Sequence, residues 1–307
     1  MGDTTGIAWC DSTFNPWVGC TKVGPGCDHC YAEAQDKRFG GAHWGPGAAR
    51  QRTTPAYWRN LRKWNAKAAD FWVEHRRQRR VFIASQADVF DNEVSPDWRL
   101  DLFDEVRGCH DLEIIIVTKR VGNVGKMTPN GVLPRNVILL ATVCNQDEAD
   151  RDIPKLLALK TTGVAAHVGL SIEPMLGPVD LRHTPAPGVW RDWLTGECKG
   201  FAADYSDLPR LDWIICGAES GPNARPMRLE WFRDLLAQCR AAGVPFFGKQ
   251  LGPKCIMDRA DAVQAVALGA GWEGRAGHAS GIVTLRNRKG ADLIEWPADL
   301  RVQDFPA

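Results

Sequence analysis

EIIIVTKRVGNVGKMTPNGVLPRNVILLATV, residues 113–143, contains two short apolar runs that predict the type of fold. EIIIVT (113–118) and NVILLATV (136–143) are rich in β-branched residues, and each run stops at polar residues. Runs of this length without polar alternation are typical of parallel strands that are buried on both faces. The stretch therefore predicts two buried strands of an α/β domain.

Four further runs have the same character, and helical patterns lie between most of them. Apolar positions in Leu229–Ala242 recur every three to four residues, as in an amphipathic helix. Further helices are predicted at Pro96–Val106, Gln146–Leu159 and Tyr57–Arg79. Such repeated βα units form an eight-fold barrel, an incomplete barrel or an open doubly wound sheet. The four further runs are VFIAS (81–85), HVGLSI (167–172), LDWIICG (211–217) and PFFG (245–248).

The composition is that of a globular chain of enzyme size. The 307 residues are 44% hydrophobic and 24% charged, with a formal net charge of +1, which excludes a disordered or fibrous protein. We expect a cytoplasmic protein, because no apolar run is long enough to span a membrane and the first residues lack a signal-peptide pattern. Thiols stay reduced there, so the ten Cys indicate metal or redox chemistry rather than disulfides. Cys144 and Cys216, in or beside predicted strands, are expected in the core.

Polar residues follow almost every predicted strand. Functional groups gather at the carboxyl ends of parallel strands, so these residues are candidates for a binding or catalytic site. Polar loops and helix caps would explain any one of them without a function. The set comprises Ser85, Gln86, Asp88, Thr118, Lys119, Arg120, Thr142, Asn145, Ser171, Glu173, Glu219, Ser220, Lys249 and Gln250.

The strongest local motif is NPWVGCTKVGPGCDHCYA, residues 15–32. Its cysteines, Cys20, Cys27 and Cys30, are spaced C-x6-C-x2-C on a Gly- and Pro-rich loop before a predicted helix. Thiolates bind iron-sulfur clusters and structural zinc, and three of them can converge on one centre. Zinc would need a fourth ligand, for which Cys10 and His29 are nearby, whereas a four-iron cluster held by three Cys keeps one iron open. We expect the open cluster.

Seven sequence blocks between about residues 14 and 252 resemble known proteins: NPWVGC, GCDHCYA, QADVFD, VTKR, SIEPMLGPVDL, GAESGPNARPM and GVPFFGKQLG. They resemble a phage and prophage family of three-Cys-motif proteins, which is itself similar to spore photoproduct lyase. More broadly, the cysteine loop followed by βα units resembles the radical S-adenosylmethionine (radical SAM) superfamily. The usual spacing in that superfamily is C-x3-C-x2-C, whereas the first interval here has six residues.

The resemblance implies an α/β fold with a partial (βα)6 TIM-like barrel of the radical SAM type over residues 1–252. Within it, the long Pro- and Gly-containing connection at 182–210 predicts an insertion, and the Gly-rich tail at 253–307 predicts an accessory C-terminal extension. It also implies that the three cysteines hold a 4Fe-4S cluster and that the open iron binds S-adenosylmethionine. A reductant such as flavodoxin or ferredoxin would then drive formation of a 5'-deoxyadenosyl radical.

The resemblance also implies roles for the residues at the strand ends. Lys249 and Glu219 are the candidate catalytic residues. The alternative for each candidate is a structural ion pair, for example between Lys119 and Glu173. The candidate contacts to S-adenosylmethionine are Gln86 and Asp88 for its ammonium, Lys119 for its carboxylate, Thr142 or Asn145 for its ribose, and Glu173 for ribose or substrate.

The segment 50–80 carries ten Lys or Arg against Asp70 and Glu74, with aromatic residues interleaved. Such a segment would neutralise phosphates and stack on bases. Alternatively, its apolar positions face the core and its cations are merely solvated. The candidate nucleic-acid contacts are Lys63, Arg76, Arg77, Arg79 and Arg80.

Two classes of function follow. The first is a radical SAM enzyme that repairs or modifies a nucleotide or a nucleic-acid base. The second is a non-enzymatic, zinc-stabilised nucleic-acid-binding protein. A Rossmann-type methyltransferase is disfavoured, because no GxGxxG turn follows the first strand.

Overall fold

The computed structural model describes residues 4–182, 189–200, 204–221, 223–274 and 279–306. The chain divides into two compact units, Met1–Thr142 with Pro154–Gly169, and Val143–Ile153 with Leu170–Ala307. The elements of the first unit are β1 (Ser12–Phe14), β2 (Trp17–Val18), α1 (Tyr31–Arg38), β3 (Gln51–Arg52), α2 (Pro55–Ala66), α3 (Ala68–His75), β4 (Arg79–Ile83), α4 (Pro96–Arg107), β5 (Leu112–Thr118), α5 (Val121–Met127) and β6 (Val137–Thr142).

Four parallel strands form the centre of the first unit, in the order β1, β4, β5 and β6. Ile114, Ile115 and Ile116 of β5 are fully buried, as expected for a strand that is covered on both faces. Burial of each such side chain contributes about 1.5–3 kcal/mol. The strands predicted at 113–118 and 136–143 are confirmed to within one residue at each end.

The single helix predicted over Tyr57–Arg79 is wrong. The chain forms two shorter helices, α2 and α3, which meet at Lys67. Helix α3 ends at Arg76, whose backbone is left-handed with φ 57°, and Arg79 already belongs to β4. The predicted apolar stripe is confirmed for three buried residues, Leu61, Trp64 and Phe71.

Helix α6 (Gln146–Thr161) and strand β7 (His167–Ile172) are divided between the two units. The following elements of the second unit are β8 (Trp190–Arg191), β9 (Cys198–Lys199), β10 (Asp204–Tyr205), β11 (Trp213–Gly217), β12 (Met227–Arg228), α7 (Leu229–Ala242), β13 (Phe246–Gln250), β14 (Lys254–Asp258), α8 (Arg259–Ala267), β15 (Gly271–Gly274) and β16 (Ser280–Thr284).

In the second unit, β11 and β13 are parallel neighbours and α7 connects them in the chain. Helix α7 has its predicted bounds and buries Leu229, Phe232, Leu235, Leu236 and Cys239. This spacing of three to four residues is the one that predicted the helix.

Two smaller sheets complete the second unit. In the predicted insertion, β8, β9 and β10 form an antiparallel sheet, while residues 183–188 and 201–203 lie outside the described residues. In the predicted extension, β14, β15 and β16 share a four-stranded sheet with β12, and Met227 of β12 is paired with Cys255 of β14. The tail after residue 252 therefore shares a sheet with the segment before it.

The largest sheet has seven strands in the order β1, β4, β5, β6, β7, β11 and β13. This arrangement confirms the predicted α/β class and is consistent with a partial barrel. In the described part of the chain, no helix combines the length and apolarity that a membrane span needs.

Candidate functional site

The three motif cysteines lie in different local structures. Cys20 follows β2, Cys27 closes a single 3-10 turn at Pro25–Cys27, and Cys30 is the residue that precedes α1. All three are reduced and half-buried. The helix predicted to start near Tyr31 is confirmed, and its first turn favours negative charge such as that of a thiolate.

The loop before Cys20 docks on the end of β4 through hydrogen bonds that only this backbone path allows. Asn15 Oδ1 accepts from the Gln86 backbone N–H at 2.9 Å, and the Gly19 N–H donates to Gln86 O at 3.1 Å. Gly19 has φ 113°, and a Cβ there would lie 2.3 Å from His43 O. Only glycine fits this position, so the residue before Cys20 is determined by close backbone packing.

Asp88 lies at the end of β4 and is enclosed by hydrogen-bond donors from the end of β5. Its carboxylate accepts from Thr118 Oγ1 at 2.8 Å, from the Lys119 backbone N–H at 3.1 Å and from Arg120 Nη1 at 3.1 Å. The Phe90 backbone N–H donates to it as well, at 2.9 Å. The QADVFD and VTKR blocks are therefore interlocked through one buried carboxylate.

Arg120 connects this carboxylate to the cysteine loop. Its Nη1 donates to Cys20 Sγ at 3.3 Å and its Nη2 donates to Thr21 O at 2.5 Å. Burial alone would lower the pKa of Arg120, but Asp88, Cys20 and Asp91 raise it well above the ordinary value. Arg120 is therefore a permanent cation beside the first cysteine.

The surroundings of Cys20 change the pKa of its thiol in opposite directions. Burial and, to a smaller extent, the carboxylate of Asp88 raise the pKa of Cys20 to about 12, although Arg120 acts in the opposite direction. Without a metal, Cys20 is consequently a neutral thiol at pH 7. A soft metal would displace the proton, because thiolates are the form that binds metals.

A second buried arginine holds the next residue of the loop. Arg50 Nη2 donates to Thr21 Oγ1 at 2.6 Å, and the same nitrogen is 2.8 Å from Asp91 Oδ2. The side chains of Arg50 and Asp91 are 1% and 2% exposed, so water does not weaken this pair. Arg50 therefore has a structural role here, although the sequence counted it among the cations of the basic segment.

An aspartate–histidine pair lies over the same loop. His43 Nδ1 is 2.8 Å from Asp36 Oδ1, and the His43 backbone N–H donates to Asp36 Oδ2 at 3.0 Å. A histidine oriented by a carboxylate is a common general acid–base unit. This pair is not predictable from the sequence, because neither residue belongs to a motif or a strand end.

The described residues contain no group of three His, Cys, Asp or Glu side chains placed to hold a metal ion. The convergence of the three cysteines on one ion therefore stays a prediction. The fourth zinc ligands considered above lie in different settings: Cys10 is buried, with Sγ 3.9 Å from Ile7 O, and His29 is exposed. Cys144 and Cys216 are buried, which confirms them as core residues.

Three further candidates lie at the strand ends of the first unit. Thr142 at the end of β6 is 4% exposed, and its Oγ1 has no hydrogen-bond partner within the described structure. Lys119 at the end of β5 is half-buried, and the described residues provide no hydrogen bond or ion pair to its ammonium. Gln86 contributes its backbone to the loop contact already described.

The candidates of the second unit are engaged with neighbours in the same unit. Glu173 forms an ion pair with Lys249 and accepts a hydrogen bond from Gln250 Nε2 at 3.0 Å. Glu219 is 6% exposed and binds the Arg225 guanidinium through both carboxylate oxygens. Asn145 caps α6, because its Oδ1 accepts from the Glu148 backbone N–H at 3.0 Å. The ion-pair alternative thus describes Glu173, with Lys249 as its partner.

The basic segment is largely neutralised within the first unit. Arg77 donates to both oxygens of Asp11 at 2.7 and 2.8 Å. Arg80 is buried, and its Nε donates to Glu113 Oε1 at 2.7 Å. Arg79 lies over the Phe71 ring at 4.5 Å, whereas Lys63 and Arg76 are exposed. Arg77 and Arg80 are therefore engaged in ion pairs, while nucleic-acid binding by the segment stays a prediction.

The family comparison covers nearly the same part of the chain as the seven sequence blocks, which lie between about residues 14 and 252. Residues 4–280 match the family described as protein of unknown function (DUF5131), so the chain belongs to that family. No curated protein matches the sequence.

Solved structures similar to this chain are forms of spore photoproduct lyase. One is a cysteine-to-serine variant, with 10% identity and a TM-score of 0.38 over 94% of this chain and 72% of that one. Another is a variant with bound AdoMet and dinucleoside spore photoproduct, with 13% identity and a TM-score of 0.36 over 90% of this chain and 68% of that one. TM-scores this low do not establish a shared fold, so the function proposed below is based on contacts within this chain.

Proposed function

We propose that this protein is a radical SAM enzyme whose 4Fe-4S cluster is held by Cys20, Cys27 and Cys30. The observation that carries the proposal is the attachment of the cysteine loop to the ends of β4 and β5 through Arg120. If the segment between β2 and α1 only connected these elements, it would not need the buried cation of Arg120 beside Cys20. It would also not need the enclosed carboxylate of Asp88 that binds this cation. The contact instead directs a soft metal ligand towards the strand ends, where α/β proteins bind ligands.

The donor set suits an iron-sulfur cluster. It consists of three thiols within eleven residues, and thiolates are the ligands of such clusters. The sulfurs of a cluster bind different iron atoms, so they need not surround one point as the ligands of a zinc ion do.

The unengaged polar groups at the strand ends fit S-adenosylmethionine. The Thr142 hydroxyl suits a ribose, since a buried hydroxyl without a partner is costly unless a ligand satisfies it. The Lys119 ammonium suits a carboxylate. Asp88 already accepts hydrogen bonds on both oxygens, so the side-chain carbonyl of Gln86 is the better acceptor for the cofactor's ammonium. When bound, the cluster supplies the electron that cleaves S-adenosylmethionine to methionine and the 5'-deoxyadenosyl radical.

For the second unit, we propose that Lys249 and Glu219 contact substrate, with Glu173 and Asn145 as secondary candidates. Lys249 is paired with Glu173 and Glu219 with Arg225, so each would exchange a protein partner for a substrate group. Charged pairs of this kind also fix the orientation of side chains before a ligand binds.

We propose a nucleotide or a nucleic-acid base as the substrate, to be repaired or modified. The support is a stripe formed by Arg59 and Lys63 of α2 and by Lys67, the residue that follows α2; the three follow one another at intervals of four residues. All three are exposed and have no ion pair within the described structure. Cations at this spacing lie on one helix face and can follow a phosphate backbone. A phage origin, a cytoplasmic location and a flavodoxin or ferredoxin reductant belong to the same proposal.

Anaerobic reconstitution tests the proposal. The protein is incubated with iron and sulfide, reduced with dithionite in the presence of S-adenosylmethionine, and analysed by chromatography for 5'-deoxyadenosine. We expect product from the wild type, none from Cys20→Ala, Cys27→Ala or Cys30→Ala, and unchanged iron loading in the matched control Cys144→Ala. Equal iron content in all four variants would refute the ligand assignment, and one zinc without sulfide would support the zinc-stabilised binding protein.

A further inference from the structure

The three cysteines differ in how firmly their surroundings hold them. In the described structure, Cys20 Sγ accepts a hydrogen bond from a buried guanidinium, whereas no side chain donates to the sulfur of Cys27 or Cys30. The loop between the first two cysteines is held at its surface by Lys22, which pairs with Glu33 at 3.1 Å. That lysine side chain is 46% exposed, and such a pair contributes little.

Residues 20–21, in contrast, are held from two sides. Arg120 donates to the Thr21 carbonyl, and Arg50 donates to the Thr21 hydroxyl. The Thr21 hydroxyl donates in turn to Gly45 O at 3.1 Å. Backbone and side chain of the residue after Cys20 are thus both fixed, which restricts the cysteine itself to one conformation.

Two carboxylates keep the arginines in place. Asp88 accepts from Arg120, and Asp91 lies 2.8 Å from Arg50 Nη2 and 3.6 Å from Arg120 Nη2. The four side chains are at most 7% exposed. We call these four residues the ionic frame. It joins the cysteine loop to the ends of β4 and β5.

Stability alone does not explain the ionic frame. Replacement of a buried ion pair by apolar side chains of similar volume is often neutral or stabilising, so buried charges are weak evidence for stability. A guanidinium, however, fixes several acceptors at set angles. Arg120 uses this property on three acceptors from different segments: a sulfur, a carbonyl and a carboxylate.

We infer that Arg120 is a positioning residue that fixes Cys20 as the preorganised ligand of the proposed cluster and donates a hydrogen bond to its sulfur. This inference rests on the proposed function. Hydrogen bonds to ligand sulfurs withdraw electron density from a cluster and raise its reduction potential. Loss of Arg120 should therefore loosen the loop in the metal-free protein and shift the cluster potential to a more negative value.

The test compares Arg120→Met and Arg120→Lys with the wild type. Lysine keeps the charge but cannot reach three acceptors at once, because it lacks the planar fork. The control is Arg80→Met, which removes another buried, ion-paired arginine of the first unit that does not contact the cysteine loop. Thr21→Val is a milder variant, which removes one acceptor of Arg50, the Thr21 hydroxyl, and leaves the Arg120 pair intact.

Three measurements are made on each protein: amide hydrogen exchange of residues 18–24 without metal, iron and sulfide content after reconstitution, and the midpoint potential of the cluster. We expect at least tenfold faster exchange of residues 18–24 in Arg120→Met and an intermediate rate in Thr21→Val. For Arg120→Met we expect a lower iron and sulfide content and a more negative midpoint potential than in the wild type. Arg120→Lys should give values between those of Arg120→Met and the wild type, and Arg80→Met should give wild-type values.

Unchanged exchange and potential in both Arg120 variants would overturn the inference, and so would equal effects in Arg80→Met. If Arg120→Met does not fold, Arg120→Lys and Thr21→Val decide by the same criteria. A wild type that takes up no iron and sulfide refutes the proposed function instead. In that case, exchange in the metal-free protein still shows whether Arg120 positions Cys20.

Discussion

Asp88→Asn is the sharpest test of how the ends of β4 and β5 are joined. The substitution keeps the size of the side chain and removes its charge. It leaves Arg120, with a 7% exposed side chain, without its nearest carboxylate. With its amide oxygen in the place of Asp88 Oδ2, asparagine can still accept from the Thr118 hydroxyl and from the Lys119 backbone N–H, whereas the Phe90 N–H loses its acceptor.

The expected loss follows from the burial of the pair. Removal of one partner of a buried ion pair costs about 3–5 kcal/mol, because the other charge stays buried without compensation. Asp91 lies 3.6 Å from Arg120 and keeps part of that compensation. We therefore expect a loss near the lower limit, about 3 kcal/mol, which corresponds to a roughly hundredfold change in the unfolding equilibrium.

Urea unfolding measures this loss as the shift in midpoint multiplied by the m value. The matched control is Asp104→Asn, which removes the carboxylate of an exposed pair with Arg107 and should change the unfolding free energy by less than about 1 kcal/mol. If Asp88→Asn loses no more than the control, Asp88 and Arg120 do not form the buried pair described here.

Three further predictions concern other parts of the first unit. Gly19→Ala places a Cβ 2.3 Å from His43 O at a backbone φ of 113°, so iron loading of the cysteine loop should fall. The control Gly40→Ala, at an open position with φ 78°, should load iron normally, and equal loading of the two variants would contradict the packing argument. Burial would raise the pKa of Asp11, but hydrogen bonds from Arg77 and the Arg80 backbone lower it below its ordinary value. The Asp11 carboxylate therefore stabilises the fold by about 1 kcal/mol at pH values above its pKa in the unfolded chain, and this contribution disappears as the pH falls through its pKa in the folded protein. The free energies of urea unfolding of the wild type and Asp11→Asn should converge at low pH, and a difference that does not change with pH would contradict this. Replacing Arg59, Lys63 and Lys67 by Gln should weaken binding to a single-stranded oligonucleotide and flatten its salt dependence, whereas Arg77→Gln should leave that salt dependence unchanged; the reverse outcome would move the contact to the paired arginines.

Hydrophobic runs predicted the strands of this fold well and its polar elements poorly. Strand β5 was evident as a continuous apolar run, and helix α7 was evident because its buried residues recur every three to four positions. Strand β1 has three residues, Ser12–Phe14, and two of them are polar, so no run identifies it. Helix α5 contains two glycines in seven residues, which gives it little intrinsic helix preference.

The start of β4 shows why charges mislead a prediction made from sequence alone. The helical pattern predicts a helix that ends at Arg79, yet Arg79 and Arg80 open a strand. Arg80 is accommodated there because Glu113 on the next strand neutralises it. That partner is distant in the chain, so no local pattern shows that the arginine is buried.

The cysteine loop was predictable as a motif, but the surroundings of Cys20 were not. Three cysteines in eleven residues identify a possible metal site directly. The hydrogen bond from Arg120 to Cys20 spans 100 positions in the chain and depends on the pairing of β4 with β5. Only the fold brings these two residues together.

The separate local origins of the three cysteines have a consequence for how this loop can change during evolution. Cys20 follows a strand, Cys27 closes a one-turn helix and Cys30 starts α1. Residues 22–24 connect these elements without belonging to the ionic frame or to the turn at Pro25–Cys27. Insertions or deletions there would alter the spacing of the motif while each cysteine kept its own local structure. We therefore expect relatives with other intervals to retain the two arginines and two aspartates before they retain the loop sequence.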